Sequence, residues 1–328
     1  MPPVSSRPAQ LSLFEHVASR DHTNSFALYD IMPKWTANAP TTRRNHVSET
    51  YKYRPILRRV FIYDKIEGTL TITPARLDNN GISVDYYPGA REELVEAALR
   101  KIAIAQRRTT LFEGPAVGVR FTLSHLRREL RRESKDRYSL RQVHQALQIM
   151  HHCNICLTYD DKTISAPILP VIAIRQAQSD GECETYATFH PLVTRGILDT
   201  QWRQINHCTL LLIDDCLARW LFKRLVHKFT QASLFGDPYN ISATRIIRDS
   251  GVSYTRQRDA LAAIHAAFER LKQARVISKV QINRMTGQRG KIEDEIYKIF
   301  PTTEFVREQK CANALAREVR EGRGPSRR

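Results

Sequence analysis

The sequence predicts an α+β chain made of two copies of one helical unit, each closed by a β-hairpin, behind a flexible N-terminal arm. Three observations carry this. A near-repeat recurs about 120 residues apart. In its first copy Leu140, Val143, Leu147 and Met150 fall at i, i+3, i+7 and i+10, and in its second Leu261, Ile264, Phe268 and Leu271 repeat that spacing, so each forms one apolar face of a helix. Each helix is followed by strand, turn and strand.

Residues 1–50 are rich in Pro, Ser, Thr, Asn and charge, with Pro2, Pro3, Pro8, Pro33 and Pro40 breaking any period, which reads as a flexible arm. A first domain is assigned to 51–200. It starts with strand segments at Val60 to Tyr63 and Thr69 to Thr73, a turn at Asn79-Asn80-Gly81, and a helix from about Ala90 to Gln106 with Leu94, Ala97, Ala98, Ile102 and Ala105 as its apolar face. The first copy then reads as a strand at Arg120 to Leu123 and a helix capped by Ser124 that carries Leu126 and Leu130. A second helix opens at Ser139, followed by a strand at Ile155 to Tyr159, an acidic turn at Asp160-Asp161, and a strand at Ile168 to Ile174.

A second domain is assigned to 201–305. It holds a helix from Cys216 to Phe229, a capping Ser242 before Ile246 and Ile247, a tight turn at Gly251, and a long helix opened by Thr255. A strand at Ile277 to Ile282, a basic turn at Met285 to Lys291 and a return strand at Glu295 to Ile299 follow. Residues 306–328 read as a basic C-terminal tail. Helix, short helix, turn, long helix and hairpin is the order of a winged helix, so the expected architecture is two tandem winged-helix domains.

Across 328 residues, Lys and Arg number 51 against 34 Asp and Glu, a formal charge of +17 that favours a polyanionic partner. The six Cys are irregularly placed, and no signal peptide or membrane-length apolar run occurs. A cytoplasmic protein with reduced thiols and no membrane partner is expected. Cys153 and Cys156 form a C-x-x-C preceded by His151 and His152, open to a zinc reading or to packing. No second ligand pair follows, so packing is expected and no metal. The P-loop signature is absent, as are a His-hydrophobic-His pair and a Ser/His/Asp constellation, which points to binding without a cofactor and not to an enzyme.

A helix entering the major groove buries one face and presents long polar donors near its N-terminus, where base edges are reached. In the second copy Thr255, Arg256, Gln257 and Arg258 crowd that first turn, and Arg284, Arg289 and Lys291 surround the hairpin turn as a candidate wing. In the first copy Arg141, Gln142, His144, Gln145 and Gln148 fall off the apolar stripe. Its acidic turn argues against a phosphate-contacting wing, and Arg127, Arg128 and Arg131, with Arg132, Lys135 and Arg137, supply a backbone clamp instead.

Within the arm, Gln10-Leu11-Ser12-Leu13-Phe14 looks like the pentapeptide that many bacterial proteins insert into the replicative sliding clamp; a weaker version, Gln231 to Phe235, is read as core. Together with the duplicated unit and the run Phe300 to Lys310, it resembles the theta-type plasmid replication initiators, the TrfA-like iteron-binding family. The resemblance spans roughly residues 55–310. It implies binding to direct repeats in double-stranded origin DNA, opening of an adjacent A·T-rich region, recruitment of the host sliding clamp, helicase and initiator, and a homodimer as a stored form. The competing expectation is a winged-helix transcriptional repressor without a replication role.

Overall fold

A computed structural model describes residues 21–36, 51–52, 54–79, 81–106, 117–131, 136–175, 183–199, 201–229, 238–287 and 292–321. Residues 21–36 correct the expectation of a flexible arm over 1–50: β1 (His22–Ser25) and α1 (Ala27–Ile31) are part of the core. Phe26, Tyr29, Ile31 and Met32 are buried, and Met32 takes the extended conformation that a following proline, Pro33, imposes. The pattern is too short and too polar for a period to show. The rest of the arm, residues 10–14 included, lies outside the described residues.

Next come β2 (Tyr51–Lys52), the hairpin β3 (Leu57–Tyr63) and β4 (Ile66–Thr73), and the hairpin β5 (Ala75–Asn79) and β6 (Ile82–Tyr86), turned at Gly81 with φ +80°. Helix α2 (Ala90–Gln106) is buried nearly all round, charged residues included, although Ala105 is exposed. Strand β7 (Gly118–Phe121) leads into α3 (Leu123–Glu129), capped by Thr122, which accepts from the His125 N–H; Ser124, the expected cap, is already inside the helix.

Helix α4 (Leu140–His152) opens, as expected, at Ser139, in a reciprocal capping box with Gln142. Its buried stripe begins at Val143, since Leu140 is 39% exposed. The strands β8 (Asn154–Tyr159), β9 (Lys162–Pro167), β10 (Ile172–Arg175) and β11 (Glu184–Thr188) follow. Of the strand expected over 168–174 only the end is strand, and Ile168 and Leu169 are buried in the link.

Helix α5 (Pro191–Leu198), β12 (Arg203–Asn206) and α6 (His207–Leu212) connect to α7 (Cys216–Lys228), β13 (Tyr239–Ser242), α8 (Ala243–Ser250), α9 (Gln257–Gln273), β14 (Ile277–Thr286) and β15 (Ile292–Pro301). The end of the chain corrects the expected tail. Helix α10 (Thr303–Arg320) packs on β12, with Phe305, Val306 and Ala312 buried and hydrogen bonds from Arg203 to Asn313 and from Asn206 to Glu308.

The strand orders show how the two halves correspond. In the second half the antiparallel order is β13-β15-β14; in the first half β7-β11-β10 has the same form, with the strand before the short helix beside the second hairpin strand. The counterpart of β14–β15 is therefore β10–β11. The hairpin carrying Asp160-Asp161 instead extends β3-β4-β8-β9, which corrects the reading of that turn as the first copy's wing.

A buried ionic network ties the halves together. Glu93 of α2 accepts from Arg219 at 2.6 Å and Lys223 at 2.7 Å, both on α7. Asp30 of α1 accepts from Arg100 of α2 at 2.8 Å, from Ser25 Oγ and from the Phe26 N–H; Glu96 accepts from Arg100 at 2.8 Å and from the Tyr29 hydroxyl at 2.6 Å. Burial alone would raise the Asp30 carboxyl, but Arg100, Lys34 and Lys223 outweigh it and hold it well below the usual range. Burial pulls Lys34 down to about 8.

A second seam lies between β3 and α8. Buried Asp249 accepts from the Ile62 N–H at 3.0 Å and from Arg248 at 2.8 Å, and its other oxygen is ion-paired with Arg224 at 3.2 Å. Gly251 ends α8 at φ +68°, where a Cβ would press on Pro33 and Arg59 at under 3 Å, so glycine is required both for the turn and for the approach of the first half.

Two predictions follow from this core. Asp30→Ala leaves Lys34 buried without its ion-pair partner and Arg100 with Glu96 alone, and should cost about 3–5 kcal/mol in urea unfolding; a loss below about 1 kcal/mol would show the network to be dispensable. Burial also depresses His190 and His227 to about 3 and His207 to about 4, from an ordinary 6.5. Neutral in the folded chain, they take up protons on unfolding, so their contribution is complete above pH 6.5 and is lost as pH falls through that value toward 3–4. Each should remove about 1.4 kcal/mol per pH unit in that window, which thermal melts between pH 7 and 5 would read.

Candidate nucleic-acid interface

The start of α9 is the most open helix terminus among the candidate readers. Leu261, Ile264, Phe268 and Leu271 are buried, as their spacing requires, which leaves Thr255, Arg256, Gln257 and Arg258 exposed together. Arg256 is the N-cap residue in extended conformation, and its side chain makes no capping hydrogen bond to the first turn, so the helix start is exposed with two arginine side chains beside it. The Arg258 side chain is 85% exposed, with Asp259 3.9 Å away. Gln257 is less free: its Nε2 donates to the Glu293 carbonyl on β15 at 2.9 Å.

A carboxylate that sequence reasoning missed links this helix to the hairpin. Glu295 on β15 is buried and accepts from His265 of α9 at 2.7 Å, from the Tyr297 hydroxyl at 2.8 Å and from Arg284 of β14 at 3.1 Å. Burial alone would raise its carboxyl; hydrogen bonds from Tyr297, His265 and Arg284 outweigh that and hold it below the usual range. Arg284, a predicted wing residue, is thus anchored at its Nε while its side chain remains 61% exposed. Ile282 and Met285 on the same strand are exposed apolar residues. Arg289 and Lys291 lie outside the described residues. Glu295 left no signal in the sequence because two of its partners are 11 and 30 residues away and the third, Tyr297, is two residues along the same strand, a spacing that marks no site.

The first half presents a more committed surface. Arg141, His144 and Gln148 are exposed on α4, but the Gln142 side-chain oxygen accepts from the Ser139 N–H in the capping box, and half-buried Gln145 accepts from Arg91 at 3.0 Å. Of the clamp residues, Arg131 is bound to Asp136 at 2.8 Å, Arg127 lies 3.6 Å from the same carboxylate, Arg137 pairs with Asp214 at 3.0 Å, and Arg128 is exposed; Arg132 and Lys135 lie outside the described residues. The Arg131 hydrogen bond holds the Asp136 carboxyl below its ordinary value.

The C-x-x-C resolves toward packing. Cys153 is buried against Met150, and burial pushes its thiol up to about 12; Cys156 is half-buried on β8. Among the described residues no group of three or more His, Cys, Asp or Glu is placed to hold a metal ion, and no helix is long and apolar enough to cross a membrane.

No protein-family model matches this sequence, and no curated protein does. Among solved structures, the chain is similar in outline to domains 2–3 of RctB (TM-score 0.44, 8% identity, 79% of this chain and 95% of that one). It is similar also to the Pi initiator protein in complex with iteron DNA (TM-score 0.43, 13% identity, 65% of this chain and 93% of that one). At these values the likeness gives no residue-level correspondence.

Removing the Glu295 carboxylate should separate anchoring from contact. Glu295→Ala leaves His265, Tyr297 and Arg284 without their shared acceptor and should cost about 2–3 kcal/mol of stability, measured by chemical denaturation; no loss would mean that α9 and the hairpin are held together by packing alone.

Proposed function

We propose that the chain is a sequence-specific binder of double-stranded DNA, built from two tandem winged-helix units that act by binding and not by catalysis. The observation that carries this reading is the start of α9, where Thr255 to Arg258 stand exposed on an uncapped first turn beside a hairpin bearing Arg284. The matching strand order of the two halves supports a second reader around α4, presenting Arg128, Arg141 and His144. The domain limits of 51–200 and 201–305 belong to the same proposal, with residues 21–36 and α10 added to the folded body. Two readers on one rigid frame suit successive major grooves, about 10 base pairs apart.

More particularly, we infer a plasmid replication initiator that binds iterons in cytoplasmic origin DNA and helps open an adjacent A·T-rich region. Support comes from the clamp-like peptide Gln10 to Phe14 and from the resemblance to theta-type initiators stated above. On this reading the partners are origin DNA, the host sliding clamp, and the host helicase and initiator, with a homodimer as an inactive store. A repressor using the same two units would need no clamp peptide.

Arg256→Ala with Arg258→Ala should weaken specific binding by about 1–3 kcal/mol per base contact and relax sequence preference, measured with fragments selected from the parent replicon; unchanged specific binding would refute α9 as a reader. Deleting residues 10–14 should abolish plasmid replication while leaving DNA affinity intact. Retained replication would instead favour the repressor, as would selection of a single promoter palindrome in place of tandem direct repeats.

A further inference from the structure

Where the two halves meet there is a basic cleft of about 380 Å³. Its floor is Arg224 of α7, whose side chain is 5% exposed and is fixed by Asp249 at 3.2 Å and by the Tyr239 hydroxyl at 2.8 Å. Its walls are Lys228 of α7 and Arg245 of α8 from the second half, and the Asp64-Lys65 turn of the β3–β4 hairpin from the first. Four cationic side chains therefore converge on the cleft, against Asp64, which pairs with Lys228 at 3.0 Å, and Asp249, which holds Arg224.

The turn itself is unusual. It is a two-residue hairpin turn with both residues left-handed, Asp64 at φ +46° and Lys65 at φ +71°. Asp tolerates that region, but the second position ordinarily falls to glycine, because an L side chain there crowds its own backbone. A lysine holds the strained position, and its exposed side chain lines the rim of the cleft. Arg245, also exposed, is on α8, which is joined to α9 by the Gly251 turn. In a helix-turn-helix the helix before the reader crosses the sugar–phosphate backbone, so a phosphate passing over α8 would reach this cleft.

We propose that the cleft seats a phosphate group of the DNA backbone, so that the β3–β4 hairpin of the first half and α8 of the second clamp one phosphodiester at the junction between the readers. This rests on the duplex-DNA reading above. The contact is sequence-independent: it sets the register of the two readers on the duplex and adds to the salt dependence of binding.

The test uses the full chain with Lys65→Gly, Arg245→Ala and the double variant, and follows affinity against salt for a selected duplex and for a random duplex. The double variant should lose affinity for both duplexes by the same factor, with the log–log salt slope shallower by about 0.9 for each lost contact. Lys65→Gly relieves the left-handed strain, so its melting temperature should not fall, which separates lost contact from lost folding. Unchanged affinity and slope in the double variant, beside weakened binding in the Arg256 and Arg258 variant, would overturn the cleft proposal and leave the DNA reading standing. Absence of duplex binding by the wild-type chain would overturn both. A second arm titrates inorganic phosphate alone and reads thermal stabilisation: a shift lost in the double variant without any change in DNA affinity would identify a free-anion site and overturn the backbone contact.

Discussion

The arrangement of this molecule depends on carboxylates that have left water. Glu93 and Glu96 on α2 and Asp30 on α1 are buried, and each is matched by cations: Glu93 by Arg219 and Lys223 from α7, Asp30 by Arg100 from α2, and Glu96 by the same Arg100 on its own helix. Buried ions are poor glue, because desolvation cancels most of their attraction. They are effective selectors, however, since a displacement that breaks one pair strands a charge in the core. A purely apolar seam between α2 and α7 could slide; this one cannot without that penalty. The network therefore fixes how α2 of the first half sits against α7 of the second.

Legibility in the sequence followed the range of the interactions. Local chemistry was readable: the helix start at Ser139, the Ser242 cap, the tight turn at Gly251 and the apolar stripe of α9 are each settled within a dozen residues. Long-range chemistry was not. Residues 21–36 read as loose because their four apolar anchors have no period, and what fixes them is a carboxylate at position 30 whose arginine is 70 residues away. Helix α10 read as a basic tail because its buried residues, Phe305, Val306, Gln309 and Ala312, are diluted among charges. After α4 the strand β8 and its acidic turn were read, but the return strand was placed at 168–174 and not at β9, and the role of the hairpin depended on whether β8–β9 or β10–β11 lies beside β7, which local pattern does not encode.

The same distinction governs the candidate interface. A net charge of +17 suggests abundant free cations, but many basic groups are already engaged. Arg127 and Arg131 face Asp136, Arg284 is anchored by Glu295, and Arg100 and Arg219 are core. Gln142 and Gln145 fell off the apolar stripe as a groove-reading residue should, and both are occupied in holding α4 in place. What remains exposed is distributed unequally: Arg128 lies on α3 and Arg141, His144 and Gln148 along α4, whereas Thr255, Arg256 and Arg258 stand together at the start of α9.

That inequality has a physical origin in the helix starts. The first turn of α4 is closed by Ser139 and Gln142, which satisfy two of its backbone groups internally and reduce what the turn offers to an incoming anion or base edge. The first turn of α9 has no such cap, and its orientation is maintained further along, where His265 meets Glu295 and Gln257 meets the Glu293 carbonyl. Stability that a cap would have given locally is supplied by the hairpin, which frees the N-terminal donors for an external partner and makes helix and hairpin one body. The second half is thus the stronger candidate for base reading and the first for positioning, a division that arises from where each helix satisfies its own backbone.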